Sequence, residues 1–386
     1  VCRNRRYDGG GIAVDTALKS MLRDRGVAAM SFAANLLREP WDVKSAAGTP
    51  MRIFTPFWRA HQRLGPLRPP VKAPGSIPAP ALPVASESLD GWGLEPRSPN
   101  WAAGFDGEWS PGEDGAHETL DAFLDGALPG YAADRDRPDR ASTSRLSPHL
   151  RFGEISMLQV WHRVEFTRGM EGGSGVAKFL AELGWREFSH HLLFHWPDLA
   201  DRNFHERFDA FAWQDAPALL KAWRQGRTGY PIVDAGMRQL WRTGWMHNRV
   251  RMLAASFLVK HLRIDWRAGE RWFWDTLVDA DPASNPVNWQ WIAGSGPDAS
   301  PYFRIFNPVT QGAKFDPDGA FVRRWVPELA AMPDQAIHAP WEASRAVLDQ
   351  AGVKLGETYP LPTVGHEAAR ADALAAFAAT RGGNGS

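Results

Sequence analysis

Apolar residues recur at helical spacing in segment after segment from Glu113 onward, while strand patterns are nearly absent. A stretch of that kind buries its apolar faces by packing helix on helix. The pattern predicts helices over 113–128 (His117, Leu120, Phe123 and Leu124 on one side), 147–166, 176–196, 217–225, 232–243, 248–262 and 267–277. Residues 133–142 read as a polar loop, and Ser147-Pro148 suits the start of the second helix. The all-α unit is expected to end near Leu329, with a polar or helical tail to Ser386.

The front of the chain follows another pattern. Ala17, Leu18, Met21 and Leu22 give a helix over 15–25, closed by Gly26, and 27–32 reads as a strand. Residues 54–64 suggest one more helix. Val1-Cys2 reads as the end of a buried strand. One strand–helix–strand unit cannot cover a sheet, so the chain is expected to begin within a domain and to lack an earlier part of it. Residues 65–112, opening PLRPPVKAPGSIPAPALP, have the composition of an extended linker. The expected organisation is α/β over 1–64, linker over 65–112, and all-helical over 113–386.

Composition narrows the function. Lys and Arg total 44, as do Asp and Glu, so any nucleic-acid site must be a local basic patch. Nineteen Trp against five Tyr is anomalous, and indole offers large flat surfaces to bases, flavins and cations. The lone cysteine, Cys2, excludes an internal disulfide and a cysteine-rich metal site, and a reducing cytoplasm is the expected compartment. No apolar run reaches membrane-spanning length, and no signal peptide is expected.

Four stretches could carry chemistry. In DADPASNPVNWQWIAGSGPD, Asp279, Asp281, Asn285, Trp289 and Trp291 place acceptors, an amide and two indoles close together, with Asn285 and Trp289 one helical turn apart. That suits a planar, heteroatom-rich ligand; the alternative is a capped helix with core tryptophans. Thr143-Ser144-Arg145-Leu146-Ser147, before Pro148, suits a phosphate at a helix start, or else a plain Ser cap. Glu182, Trp185 and Arg186 share one helix face, fitting a polar flat ligand or a salt bridge beside a half-buried indole. Asn248, Arg251 and Met252 share another, with Arg249 pointing elsewhere. His247 lacks a second His or Cys at ligand spacing, so a structural histidine is expected and a metal is not. No Ser–His–Asp order, P-loop or dinucleotide glycine fingerprint occurs, so a cofactor would have to supply the difficult chemistry.

Six motifs in order, TSRLSPHLRFGEIS, LGWREFSHH, TGYPIVDAGMRQL, GWMHNRVRM, DADPASNPVNWQW and PYFRIFNP, resemble the photolyase/cryptochrome family over residues 1–375, most closely the class I cyclobutane pyrimidine dimer photolyases. The resemblance implies an α/β remnant of a Rossmann-like antenna domain followed by a large all-α FAD-binding domain. It implies that Tyr131 and Thr143, Ser144, Arg145, Leu146 and Ser147 hold the phosphates of FAD, with Arg186 nearby. Asp279 and Asp281 would face the ring and ribose, Arg251 would pair with Asp279, and Asn285 would lie beside the flavin N5. Trp289, Trp266 and Trp213 match the family's electron relay.

For the lesion, the resemblance implies a pocket of Glu182, Trp185, Asn248, Met252 and Trp291. Trp185 and Trp291 would pack on the flipped-out dimer, and Glu182 would hydrogen-bond it. Arg249 and Arg304 would meet backbone phosphates. The implied activity is light-driven splitting of dimers, a carbon–carbon lyase reaction, in single- or double-stranded damaged DNA by a monomer with no membrane partner. Asn248, where enzymes for (6-4) photoproducts carry a second His, and the short tail favour dimer repair over (6-4) repair and over a blue-light cryptochrome receptor. Tyr7-Asp8-Gly9-Gly10-Gly11 lacks the Asn-Glu pair of folate-type antennas and Asp201 replaces their lysine, so the second chromophore stays unnamed.

Overall fold

The computed structural model describes residues 1–78, 85–169, 172–298 and 303–382; Pro301 and Tyr302 of the PYFRIFNP motif lie outside them. Strands β1 (Cys2–Asn4) and β2 (Met30–Phe32) pair in parallel across helix α1 (Gly9–Asp24). Helix α1 starts six residues earlier than its apolar spacing suggests. The Asp8 carboxylate accepts from Gly11 N–H and caps three glycines that carry no periodic signal. The strand at Cys2 is present but not buried: Cys2, Met30 and Phe32 are exposed, since a two-stranded sheet leaves such faces uncovered.

Helix α2 (Phe54–Arg63) lies against the later helices: Phe54 and Phe57 share a cluster with Phe188 and Leu192. The helical body begins with α3 (Glu113–Asp125), the short α4 (Tyr131–Asp134), α5 (Ser147–Phe152) and α6 (Met157–Arg168). The single helix expected over 147–166 is two. Gly153 at φ 75 ends α5, and Ser156 with Gln159 forms a capping box that restarts the chain as α6.

Helix α7 (Ser174–His195) is the axis of the molecule. Its first half (Val176, Phe179, Leu180, Leu183) packs on α3, α4 and α6, and its second half (Phe188, Leu192) on α2. Then come α8 (Pro217–Arg224), α9 (Pro231–Thr243), α10 (Asn248–Ser256), α11 (Trp266–Thr276) and α12 (Ser284–Ala293). These build the largest core cluster, around Trp223, Tyr230, Phe257, Trp266 and Trp289. The helix expected to run through 262 passes at Phe257 into a buried π turn, Phe257–His261.

After α13 (Pro308–Phe315) and α14 (Ala320–Trp325), the body does not end near Leu329. Tyr359 is fully buried and its hydroxyl donates to Asp234 at 2.7 Å. Helices α15 (Arg345–Ala351) and α16 (His366–Gly382) follow, and Phe377 of α16 stacks on Phe303 at 4.5 Å. The apolar residues of this tail are sparse, but Val353, Tyr359 and Phe377 are buried against the earlier helices. Among the described residues no helix is long and apolar enough to cross a membrane.

Candidate flavin and lesion site

Helices α7, α10 and α12 and the turn before α5 enclose a cavity of about 490 Å³, a volume typical of cofactor sites. Each of these helices contributes both polar and apolar side chains to the lining. Glu182, Trp185, Arg186 and Ser189 come from α7 and Asn248, Arg251 and Met252 from α10. Asn285, Trp289 and Trp291 come from α12, with Asp279 and Asp281 just before it. Residues far apart in sequence thus share a single wall. Ser144, Leu146, Ser147 and Tyr131 close the far end.

Two expected phosphate residues are elsewhere. Thr143 does not line the cavity, and Arg145 turns out of it. With φ at 52°, Arg145 directs its guanidinium to Glu108 at 2.7 Å and over the rings of Trp109 and Trp245, at 4.3 and 4.9 Å. Cation–π contact and an ion pair hold it there. Ser147 opens a helix of six residues without capping it by its side chain.

The acidic end is well defined. Arg251 Nη2 donates to Asp279 Oδ2 at 2.8 Å, while its Nε donates to the Met246 carbonyl. The other oxygen, Asp279 Oδ1, is buried without a hydrogen-bond partner. Such an acceptor fits a ligand bearing a hydroxyl or ring N–H donor. Asp281 Oδ1 accepts from the N–H groups of Ala283 and Ser284, at 3.0 and 2.7 Å. Burial opposes its charge, but His190, Arg186 and these N–H groups hold it below the usual carboxylate range. Burial in turn pushes the His190 pKa below its ordinary value, against the pull of Asp281. Asn285 Nδ2 donates to the Glu270 carboxylate and carbonyl, at 2.8 and 3.1 Å, which leaves the amide oxygen as its free polar end. Glu270 was not foreseen; it lies 15 residues away on α11, and no local pattern links the pair.

Glu182 pairs with Arg135 and Lys178 through Oε1, not with Arg186, whose Nη1 donates to the Asn35 carbonyl at 2.7 Å. Arg135, another lining residue missed in the sequence, also stacks over Tyr131. Trp185 and Trp291 are half-buried, while Asn248 is exposed at the mouth. His247 is a helix cap: its Nδ1 accepts from Arg249 N–H, and burial pushes its pKa down to about 4.

Arg249 and Arg304 line a second cleft beside the cavity together with Arg137 and Lys314. Arg249 is paired with Asp136 at 2.5 Å and Arg137 with Asp139 at 2.6 Å. Trp289, Trp266 and Trp213 belong to one apolar cluster. Trp289 and Trp266 are buried and Trp213 is half-buried toward the surface. Trp266 Nε1 donates to Asn203 Oδ1 at 2.9 Å, and Trp289 meets Phe273 and Trp223 edge to face.

The chain as a whole is similar to known proteins. The family model described as the FAD binding domain of DNA photolyase matches residues 179–379, and that described as DNA photolyase matches residues 1–75. A deoxyribodipyrimidine photo-lyase of Agrobacterium fabrum is 55% identical over 98% of this chain and 79% of its own length. Cryptochrome-1 of Arabidopsis thaliana is 41% identical over 95% of this chain and 55% of its own. The crystal structure of a bacterial class III photolyase from Agrobacterium tumefaciens superposes with a TM-score of 0.95 at 55% identity, covering 99% of this chain and 79% of that one.

Proposed function

The chain belongs to the DNA photolyase family and carries its FAD-binding domain, and on that premise we propose that it repairs cyclobutane pyrimidine dimers in DNA using light. The observation that carries this reading is that the flavin-type residues (Asp279, Arg251, Asn285) and the lesion-type indoles (Trp185, Trp291) line the same cavity. When bound, FAD supplies light absorption and the one-electron chemistry that opens a cyclobutane ring. The chain's own residues do the rest. Asp279 and Asp281 offer acceptors to the ring and ribose, Glu270 fixes the Asn285 amide, and Tyr131, Ser144, Leu146 and Ser147 bound the phosphate end.

Trp185 and Trp291 take the extruded bases between flat faces. Extrusion costs a few kcal/mol, and stacking on two indoles, at roughly 1–3 kcal/mol per base, offsets it. Glu182 keeps Oε2 for the dimer, with Asn248 and Met252 beside it. Arg304 and Lys314, which have no carboxylate partner among the described residues, take backbone phosphates with Arg249. Trp289, Trp266 and Trp213 pass electrons inward from the surface.

Residues 1–64, 65–112 and 113–386 are proposed as antenna-domain portion, linker and catalytic unit, in a monomeric cytoplasmic enzyme with an antenna of unassigned chemistry. The motifs favour class I, while the 55% identity to a class III photolyase of Agrobacterium tumefaciens supports class III as the alternative placement.

The second reading, a blue-light receptor, is favoured by the 41% identity to Cryptochrome-1. (6-4) repair is a weaker third, disfavoured by Asn248. Illumination with oligonucleotides carrying a dimer, a (6-4) photoproduct or no lesion separates them. Restoration of the dimer substrate alone is expected; flavin photoreduction without repair of any substrate would leave the receptor.

A further inference from the structure

Trp185, the lesion-facing indole on α7, has one face against the cavity and the other covered. Phe54, the first residue of α2, lies flat on it, with ring centroids 3.8 Å apart and planes 9° from parallel. Behind Phe54 the stack continues to Trp58 at 6.3 Å and 10°, and from Trp58 to His61 at 5.0 Å and 24°. Phe188 closes the corner, meeting both Phe54 and Trp185 edge to face at 5.9 Å.

Two further features hold α2 in this place. The first is Gly184, the residue before Trp185, where an added Cβ would come within 2.6 Å of the Trp58 ring, so the absence of a side chain there lets α2 approach α7. The second is Asp298, whose Oδ2 accepts from the Phe54 N–H at 3.2 Å. Ile53, which precedes the helix, offers no side-chain cap, so a carboxylate from the far end of the 279–298 stretch satisfies one of the orphan donors of α2.

We propose that Phe54 is a positioning residue for lesion recognition: it braces Trp185 from behind and fixes the plane on which the extruded dimer stacks. The inference rests on the dimer-repair reading. Phe54 touches no substrate; it acts by keeping the indole from rotating when no base lies on it, so that less ordering remains to be done on binding. The brace comes from α2, outside the helices that surround the cavity, so the N-terminal part of the chain contributes to selectivity for damage.

The test compares wild-type protein, Phe54→Leu and Phe54→Tyr for affinity to a dimer-containing oligonucleotide and to the undamaged oligonucleotide of the same sequence, with flavin content measured on each. Leu keeps apolar bulk without a ring, and Tyr restores the ring. Phe54→Leu should lower the preference for damaged over undamaged DNA by about two- to tenfold, the range of an aromatic pair, with undamaged-DNA affinity and flavin content unchanged. Phe54→Tyr should recover the wild-type preference. A wild-type ratio in Phe54→Leu overturns the proposal. Equal losses in both variants overturn it as well, and so does release of flavin from Phe54→Leu, since Phe54 would then support the fold rather than the indole. If the wild-type protein shows no preference for the dimer, the dimer-repair reading itself fails, a result distinct from any of these.

Discussion

At Asp279 one carboxylate oxygen is bound by Arg251 and the other is buried and unpartnered, so this side chain is built to meet a donor on a ligand. A hydrogen bond to a charged group contributes about 1.5–3 kcal/mol, so Asp279→Ala, which removes the acceptor, should cost about 2 kcal/mol, or roughly thirtyfold in FAD affinity. Titrating the purified variant with FAD measures this, and wild-type affinity would remove Asp279 from the site. Trp289→Phe should suppress photoreduction of oxidised flavin while leaving flavin content intact; a wild-type photoreduction rate would exclude Trp289 from the relay. Much at this scale was legible in the sequence. Asn285 and Trp289 were placed one turn apart by spacing, and the Arg251–Asp279 pair followed from the family motif. Arg145 was misplaced, because a left-handed backbone turn is invisible to a motif and it re-aimed the side chain. Glu270 was missed because its bond to Asn285 is made between helices.

Helix spans were readable wherever apolar residues recur at the helical period, as in α7 and α9, whose observed bounds lie within two residues of those expected. Breaks were not readable where the periodicity runs through them. Gly153 divides α5 from α6, and the π turn at Phe257–His261 follows α10 with no glycine or proline to mark the change. Close approach between helices is likewise hidden. At Gly269 on α11 an added Cβ would lie 2.1 Å from Cη2 of Trp289 on α12. Gly269→Ala must therefore push the two helices or the indole apart, at a cost of about 1–3 kcal/mol. Thermal unfolding should show that loss, and flavin photoreduction should slow with it. An unchanged melting temperature would mean that α11 and α12 do not meet as closely as described.

The whole molecule has zero net charge, so its behaviour toward DNA and toward pH rests on where charges sit. Arg249, Arg304 and Lys314 share one cleft. If they take two or three phosphates of a duplex, the logarithm of affinity should fall with the logarithm of salt at a slope of about −2 to −3. A slope near zero would move the DNA away from this cleft. Two of the buried histidines whose pKa is pushed down show how acid acts on the fold. His191 Nε2 accepts from Met51 N–H at 3.1 Å while its Nδ1 faces the Pro40 carbonyl, and His247 Nδ1 accepts from Arg249 N–H. Protonation would forfeit both accepted bonds, and burial pushes each pKa down to about 4. The unfolded chain takes up these protons near pH 6.5, so stability is intact above that value. It should fall by about 1.4 kcal/mol per pH unit for each histidine as pH drops toward 4. Melting curves at fixed salt check this, and a flat profile between pH 6.5 and 4.5 would contradict it. His191 ties residues 40 and 51 to α7, a junction between distant parts of the chain that no local pattern announces.

Whether a single cavity serves both a flavin and an extruded dimer is settled by illuminating the purified protein, with its flavin chemically reduced, in the presence of an oligonucleotide carrying one cyclobutane thymine dimer. Thymine absorbance should return in the light and not in the dark, and Trp289→Phe, reduced in the same way, should repair as well as wild-type protein. Intact dimers after illumination of the reduced, flavin-loaded protein would show that the cavity does not bring the two together.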